Sequence, residues 1–434
     1  MKKRSNGGSL TERKLKDGSS SWMLKYEMGR DGAGKRQIGY ATVRGTKSEA
    51  QKELRRLMVE VDTGTHVEPS KMTFAQWIEQ WLSEVEKIGG VSTRTKEGYA
   101  SWMRVHVIPS LGGTLLQKLK RSQLNAMFVQ LRESGHKGSR AKGDKTPAVK
   151  GLSAQSVVHI RRTVHTCLQA AVDAELIQVN PATRAKVKGA SSRASTEDAS
   201  TTKIKALEAD QLPALFAAFR GHALYPLVAL AVGTGLRRGE ILGLRWKSID
   251  FDKMTLRVEQ TVEQTREHGV RVKPDAKNKS SLRTIGISAE LRDLLRAHLA
   301  EQKSLALKLG TSYPAKGEAL VFPCVIQRPK GRQPAEGLKV RDVDFSRPWH
   351  PEAVTKEFTR IAAAADFAGF RLHDCRHTFA TLLLTSGVEL HTVARLLGHS
   401  TPAITLSTYS HVLPRAADRA VQVSGDLLRA ALQG

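Results

Sequence analysis

A tyrosine near the C-terminal end of the chain stands in polar surroundings. The stretch LLGHSTPAITLSTYSHV, residues 396–412, places Tyr409 between Thr408 and Ser410, with His399 ten residues upstream. A phenol with a pKa of about 10 can serve both as a nucleophile and as a leaving group. The polar flanks predict that this ring reaches a substrate rather than a hydrophobic core.

A second motif, GTGLRRGEILGLRW at residues 233–246, combines an arginine with a carboxylate. Its apolar residues fit a buried helix, which would hold Arg237 and Glu240 three residues apart on one face. Taken alone, an arginine and a glutamate at this spacing are most often an ordinary surface ion pair. The motif therefore gains meaning only from its partners.

A third motif, RLHDCRHTFATLLLTSGV at residues 371–388, places histidines on both sides of an arginine. A helix that begins near His373 would bring His373, Arg376 and His377 onto adjacent parts of one face. Its buried side would be apolar: Phe379, Leu382 and Leu383. Zinc is disfavoured, because Asp374 stands where a zinc-protease helix has glutamate and Arg376 would repel the metal.

In order along the chain, TGLRRGE, HDCRHTFAT, LLGHS and TYSHV resemble the two conserved boxes of the tyrosine recombinase family, the phage-type integrases. The resemblance covers residues 206–415, with one departure at Cys375, which points to a packing substitution for the usual aliphatic residue. It implies a multidomain α+β protein with a mixed α/β catalytic domain. The implied activity cuts and rejoins DNA through a covalent 3′-phosphotyrosine, with neither metal nor nucleotide as cofactor.

The resemblance and the side-chain chemistry assign roles to the motif residues. Tyr409 is the predicted nucleophile, and the guanidinium groups of Arg237 and Arg376 would stabilise the charge that builds on the phosphate oxygens. His399 resembles the second-box histidine of the family and would donate a hydrogen bond to the same phosphate. His373 is the predicted acceptor of the tyrosine proton, because imidazole titrates near neutral pH.

Three other motif residues are assigned supporting roles. Glu240 has no obvious chemical step and is predicted to orient Arg237 or His373. His377 and His411 are interpreted as structural.

In the family, a lysine on a β-hairpin supplies the proton for the departing 5′-oxygen. In VKPDAKNKSSLRTIGI the resemblance places this general acid at Lys277, and Lys279 lies two residues further along the same strand face. Either lysine by itself could equally be a phosphate contact in a basic loop. We predict Lys277 as the acid and Lys279 as a DNA contact.

The charge balance predicts a nucleic-acid partner. The chain of 434 residues has 69 Lys and Arg against 42 Asp and Glu, a formal net charge of +27. Its longest apolar stretch, residues 224–236, is far shorter than the roughly 20 residues that span a bilayer. Three scattered cysteines provide no disulfide framework. We expect no membrane association and a cytoplasmic bacterial protein that acts on the nucleoid.

Changes in periodicity divide the chain into segments. Residues 1–67, with the strand-like runs SWMLKYEM and KRQIGYATV before a helical segment, resemble the small three-stranded, AP2-like arm-binding domain of integrases. Residues 72–182 contain helical patterns similar to the core-type DNA-binding domain. A linker over 183–205, a catalytic domain over 206–414 and a tail over 415–434 follow.

A basic loop separates the third and fourth helical patterns of the second segment. Its sequence SGHKGSRAKGDKTPAVKG contains too much glycine and proline to fold alone. It is either an ordinary solvated loop or a segment that tracks DNA phosphates. On the second interpretation its DNA contacts are Lys137, Arg140, Lys142 and Lys145.

We therefore expect a site-specific integrase of a phage or other mobile element, which acts on double-stranded DNA attachment sites through a four-way Holliday junction. A homotetramer would form on DNA, with the amphipathic tail docked on a neighbouring protomer. A directionality factor and a host DNA-bending protein are expected partners. The alternatives are a transposon or chromosome-resolution recombinase, an inactive DNA-binding regulator on the same scaffold, and a metal-dependent nuclease.

Overall fold

The computed structural model describes residues 8–15, 18–30, 32, 34–64, 66–134, 151–187, 205–274, 282–325, 343–410 and 414–433. The chain divides into two units, Met1–Ser195 and Thr196–Gly434. The division falls inside the segment that we predicted as a linker. Within the described residues, no helix has the length and apolar character needed to cross a membrane.

The first unit begins with a three-stranded antiparallel sheet in the order β1–β2–β3 and one helix. These elements are β1 (Gly8–Lys14), β2 (Ser20–Arg30), β3 (Arg36–Arg44) and α1 (Lys47–Asp62). Trp22, Leu24 and Tyr26 alternate along β2 and pack with buried residues of α1, as the period of two requires. The predicted small β module is confirmed.

A helical bundle completes the first unit. Its elements are α2 (Phe74–Ile88), α3 (Thr93–Trp102), a π-helical turn (Met103–Val107), α4 (Ile108–Leu111), α5 (Arg121–Glu133) and α6 (Ala154–Asp173). At the start of helix α2, Thr73 and Gln76 each accept a hydrogen bond from the other's backbone N–H. The buried indole of Trp77 donates to the carbonyl of Cys167 at 3.0 Å, which ties α2 to α6.

The second unit mixes helices with short antiparallel strands. Its helices are α7 (Leu212–Phe219), α8 (Tyr225–Thr234), α9 (Arg238–Gly243), α10 (Ala289–Leu309), α11 (Pro351–Ala364), α12 (Asp374–Thr385), α13 (Leu390–Leu397), α14 (Pro402–Tyr409) and α15 (Pro414–Gln433). Its strands are β4 (Ile249–Asp250), β5 (Thr255–Val258), β6 (Gln260–Thr265), β7 (Gly269–Pro274), β8 (Arg283–Gly286), β9 (Pro323–Val325) and β10 (Val343–Pro348). They pair as β4–β5–β8, β6–β7 and β9–β10.

Two clusters of buried apolar side chains hold the second unit together. The larger joins α7, α8 and α11 to the strands around Leu256 and Ile285. The smaller lies between α12, α13 and α14 and contains Ala380, Leu384, Val393, Leu397 and Tyr409. The three motifs therefore meet at the boundary between the two clusters.

Helix α12 begins one residue after the predicted start and buries a different face. Phe379, Leu382 and Leu383, which we predicted as its buried side, are only partly buried. Its buried residues are Asp374, Cys375, Arg376, Thr378, Ala380, Thr381 and Leu384. The helix packs against both α8 and α13, so polar residues are enclosed along with apolar ones.

Candidate active site

Arg376 lies in the interior of the second unit and is only 3% exposed. The carboxylate of Asp374 holds the first turn of α12 in place by accepting from the backbone N–H of Arg371 at 2.8 Å. Nη1 of Arg376 donates to the carbonyl of Gly235 at 2.8 Å, and Nη2 donates to that of Leu397 at 2.7 Å. The guanidinium plane is thus fixed from two sides.

A sharp turn between α8 and α9 positions Arg237. Gly235 adopts φ 63° at the end of α8, and a Cβ there would lie 2.4 Å from the ring of Phe379. Arg237 follows immediately, and its Nη1 donates to Oε1 of Glu240 at 2.9 Å. The Arg237 side chain remains 40% exposed, so an incoming anion can reach it.

Glu240 is buried between two guanidinium groups. Besides Arg237 it binds Arg283, whose Nη2 donates to Oε2 at 2.8 Å and whose Nη1 donates to Oε1 at 3.1 Å. Burial alone would raise the pKa of Glu240, but the hydrogen bonds and charges of Arg283 and Arg237 outweigh it and hold this pKa below its ordinary value. Glu240 is therefore an ionised anchor for the two arginines.

The C-terminal end of α13 binds all three guanidinium groups. Three consecutive backbone carbonyls each accept from a different arginine: Leu396 from Arg283 (2.7 Å), Leu397 from Arg376 (2.7 Å) and Gly398 from Arg237 (3.2 Å). Gly398 ends the helix at φ 65°, so the last carbonyls need partners from outside it. The negative end of the helix dipole also favours cations here.

The arginine cluster carries an excess of positive charge. Three guanidinium groups face the single carboxylate of Glu240, which leaves two positive charges in a partly buried site. Burial, and then the neighbouring charge of Arg237, lower the pKa of Arg376 to about 9. Because burial and repulsion by Arg237 disfavour the charged form of Arg376, a bound anion would stabilise the cluster.

His399 follows the α13 terminus and faces the same cluster. Its Nδ1 lies 2.7 Å from Oγ1 of Thr405, a fully buried residue of α14. Burial, and then the charges of Arg376 and Arg237, lower the pKa of His399 to about 4. The ring is therefore neutral at pH 7, and when Nδ1 accepts from Thr405 it leaves Nε2–H as a donor.

Tyr409 is buried, contrary to the prediction drawn from its polar flanks. The residue is 1% exposed and packs with the apolar side chains of α12 and α13. Thr408 and Ser410 do not report its surroundings, because neighbouring residues on a helix point about 100° apart. Burial raises the pKa of Tyr409 to about 12, with Arg376 opposing the shift. The phenol is therefore protonated in this structure.

The hydroxyl of Tyr409 contacts His377 rather than His373. Nδ1 of His377 lies 2.9 Å from the phenol oxygen, and the rings meet edge to face. His373 precedes the first residue of α12, and its ring packs against that of His377 at a centroid distance of 5.0 Å. The geometry thus differs from our predictions for both: His373 lies a ring away from the phenol, and His377 makes the contact expected of the proton acceptor.

Arg283 is the site residue that sequence reasoning missed. Its side chain is 6% exposed and is held by Glu240 and the carbonyl of Leu396. It lies six residues after Lys277 in the segment VKPDAKNKSSLRTIGI and begins β8. Its place in a segment that the resemblance singles out was the available signal.

Several predicted residues lie outside the described residues. These are the hairpin lysines Lys277 and Lys279, the loop residues Lys137, Arg140, Lys142 and Lys145, and His411. Within the described ranges, no group of three histidine, cysteine or acidic residues is arranged to hold a metal ion. Cys375 is fully buried in the larger cluster, as expected of a packing residue.

Known proteins resemble this chain in sequence and fold. The phage integrase family matches residues 205–415. A XerC-like tyrosine recombinase of Caldanaerobacter subterraneus subsp. tengcongensis is 28% identical over 424 residues, 95% of this chain and 98% of that protein. An integrase of Streptomyces ambofaciens is 25% identical over 89% of this chain and 88% of its own length. The Tn1549 transposon integrase, solved with a circular intermediate DNA, has a TM-score of 0.61 at 19% identity and covers 81% of this chain and 100% of its own.

Proposed function

We propose that this chain is a tyrosine recombinase of the phage integrase family, which integrates a mobile element by cutting and rejoining DNA through Tyr409. The observation that carries the proposal is the convergence of Arg237, Arg283 and Arg376 on the end of α13, next to a histidine-bound phenol. Such a site combines an anion-binding cradle, formed by Arg237 and Arg376, with a nucleophile.

The scissile phosphate binds against the exposed side of the cradle. Arg237 and Arg376 donate to its non-bridging oxygens, and these contacts strengthen as charge builds during attack. His399 adds a hydrogen bond through Nε2, with Thr405 holding its Nδ1. Burial, and then the charge of Arg376, lower the pKa of His373.

Arg283 and Glu240 hold Arg237 in place from the enclosed side of the cradle. Glu240 balances part of the charge and holds the Arg237 guanidinium, while Arg283 prevents that carboxylate from neutralising Arg237 completely. Glu240 is 2% and Arg283 6% exposed, and each is held by the other. They act through Arg237.

The phenol oxygen of Tyr409 attacks phosphorus, forms the 3′-phosphotyrosyl bond and releases the 5′-oxygen. Lys277 gives that oxygen its proton, as the similarity of its sequence to the hairpin segment of the family suggests. The reverse attack by a 5′-hydroxyl rejoins the strand, so the energy of the phosphodiester is kept and no cofactor is consumed. Exchange of partners between the two steps passes through a Holliday junction.

The N-terminal sheet offers a second surface for DNA. On the face of the sheet away from α1, Lys25 pairs with Tyr40 and Ser21 pairs with Arg44. Tyr40 is 56% exposed, which leaves an aromatic ring and basic side chains together on an open surface. We assign this face to arm-type sites and the helical bundle to the core site, with the predicted basic loop following the phosphates.

The C-terminal helix serves assembly on DNA. Val421, Leu428 and Leu432 of α15 are 63–79% exposed, an apolar set that a neighbouring protomer would cover in a homotetramer. A directionality factor and a host bending protein would then choose between integration and excision.

A nicked suicide substrate tests the nucleophile. Its cleavage releases a short fragment, so the covalent protein–DNA adduct accumulates and can be mapped. We expect the crosslink at Tyr409, full adduct formation in EDTA, and no adduct but unchanged DNA binding for Tyr409→Phe. An adduct at another residue, or a free 3′ end, would refute the proposal, and loss of cleavage in chelator would indicate a metal-dependent nuclease.

A sulfur-bridged substrate tests the general acid, because a 5′-thiolate leaves without a proton. Lys277→Ala should cleave the ordinary substrate slowly and the sulfur-bridged one at nearly the wild-type rate. Lys279→Ala is the matched control, expected to weaken DNA binding without selective rescue. Rescue of the Lys279 variant alone would exchange the two assignments.

A further inference from the structure

The Tyr409–His377 contact joins two helices that carry different halves of the reaction. His377 follows Arg376 in the first turn of α12, whereas Tyr409 is the last residue of α14. Adjacent helical residues point about 100° apart. Arg376 is therefore directed at the carbonyls of Gly235 and Leu397, while His377 is directed at the phenol 2.9 Å away.

We propose that His377 accepts the proton of the Tyr409 hydroxyl as the phenol oxygen attacks the phosphorus. The inference rests on the proposed function and names the base within it. The O–H bond of Tyr409 breaks as the O–P bond forms, and the proton passes to Nδ1. When the strand is rejoined, the imidazolium returns it to the departing phenolate, so the cycle is balanced.

The surroundings of His377 keep its acceptor nitrogen available. Burial, and then the neighbouring ring of His373, lower the pKa of His377 to about 4, so the imidazole is neutral before DNA binds. A neutral ring with its hydrogen on Nε2 presents a lone pair at Nδ1 toward the phenol. A bound phosphate would bring negative charge close to this ring and favour its protonated form, as proton transfer requires.

His373 is placed less well for the same step. Its ring packs edge to face on His377, which stands between it and the phenol. It also lies outside α12, whereas His377 is fixed by the same helix as Arg376. His377 and Arg376 are thereby held at a fixed distance from each other, so the proton acceptor keeps its position relative to the bound phosphate.

Two substitutions separate proton acceptance from simple anchoring of the tyrosine. In His377→Asn, the amide oxygen can accept the phenol hydrogen bond close to the position of Nδ1 but is not basic. In His377→Ala both functions are lost. His391→Asn is the matched control, because His391 is an exposed histidine on α13 of the same unit.

The rates of adduct formation are compared on the nicked suicide substrate in single turnover. We expect His377→Asn and His377→Ala to be about 100-fold slower than wild type or more, and His391→Asn to match wild type. Thermal melting and DNA binding verify that each variant is folded. A near-wild-type rate for folded His377→Asn would overturn the inference.

Replacement of Tyr409 by 3,5-difluorotyrosine provides a second readout. Its more acidic phenol needs less help to lose a proton, so it should restore much of the rate lost in His377→Asn but little of that lost in Arg376→Lys. Equal rescue of both, or rescue of neither, would contradict a proton-accepting role. If the wild-type enzyme formed no adduct, the proposed function itself would fail; an adduct with no His377 effect would remove only this inference.

Discussion

The two halves of the active site are built in opposite ways. The arginine half is pre-organised: three guanidinium groups bind consecutive carbonyls of α13, and a buried carboxylate holds two of them. The tyrosine half depends on α14, a helix of eight residues whose phenol is enclosed and protonated. The arginine half already has the arrangement that would bind the phosphate. The tyrosine half keeps its reactive oxygen protonated.

This contrast follows from what each half must do. A cradle for developing negative charge works best when its donors need no rearrangement at the moment of reaction. A nucleophile gains from the reverse, because a phenol that remains protonated until phosphate arrives cannot react with the wrong partner. The end of α13 connects the halves, since Leu397 both accepts from Arg376 and packs against Tyr409.

The largest effect should come from the arginine half. Arg376→Lys keeps a positive charge but cannot span the carbonyls of Gly235 and Leu397 with a planar fork. We expect cleavage to slow by roughly 10³-fold, as when one donor to a developing oxyanion is lost. Arg371→Lys, at an exposed arginine that pairs with the buried carboxylate of Asp374 at the same helix start, is the control and should change the rate little. Comparable losses in both would mean that α12 itself had been disturbed.

The next effect tests the backbone that carries the cradle. Gly235→Ala adds a Cβ 2.4 Å from Phe379 at a residue with φ +63°, and it displaces the carbonyl that binds Arg376. We expect a loss of roughly 2–4 kcal/mol in unfolding free energy and about 100-fold in cleavage. Chemical denaturation and the suicide substrate measure the two.

Gly310→Ala is the matched control for that substitution. Gly310 ends α10 at φ +61°, but a Cβ there would meet nothing within 4 Å. Only the cost of the left-handed backbone should remain, about 1 kcal/mol, with normal cleavage. If both variants lost the same stability and kept full activity, Gly235 would be an ordinary helix end.

The extent to which the sequence predicts the structure also differs between the arginine half and the tyrosine half. The capped start of α2 at Thr73 and the alternation of Trp22, Leu24 and Tyr26 could be predicted, because capping and periodicity are local properties. Arg237 and Arg376 could be singled out, since short motifs contain them. Their hydrogen bonds to the end of α13 could not be predicted, because the acceptors are backbone carbonyls, which no residue type marks in the sequence.

The tyrosine half was predicted less well. The polar neighbours of Tyr409 suggested an open ring, yet burial is decided by which helix face meets α12 and α13. His373 and His377 stand four residues apart, so which of them meets the phenol is decided by the packing of α14 and not by the local sequence. Arg283 was missed because its meaning depends on a carboxylate 43 residues away.

A smaller effect should come from Glu240, which links Arg237 to Arg283. Its pKa is held below the ordinary value, so its stabilising contribution is present above the unfolded pKa near 4.5 and is lost as pH falls through the folded pKa. Glu240→Gln should lower the unfolding free energy by about 1–3 kcal/mol at pH 7 and cleavage by about tenfold. The stability difference from wild type should narrow below pH 4.5.

Thermal melts from pH 7 to pH 3 check that dependence. Glu318→Gln is the control, because Glu318 forms an exposed pair with Lys247 and should contribute no measurable stability. A Glu240 variant whose deficit stayed constant to pH 3 would show that the carboxylate acts through packing rather than charge.

The smallest effect on cleavage is expected at the contact between the two halves, where Thr405 of α14 meets His399. Thr405→Val removes the hydroxyl 2.7 Å from Nδ1 of His399 while preserving side-chain shape in a fully buried position. A net hydrogen bond is worth about 1 kcal/mol, so we expect cleavage to slow by about fivefold, because His399 loses the partner that fixes its tautomer. Thr408→Val on the same helix removes only a bond to the carbonyl of Ile404 and should have no effect. Since α14 carries both Thr405 and Tyr409, equal slowing by the two variants would locate the loss in the helix and not in His399.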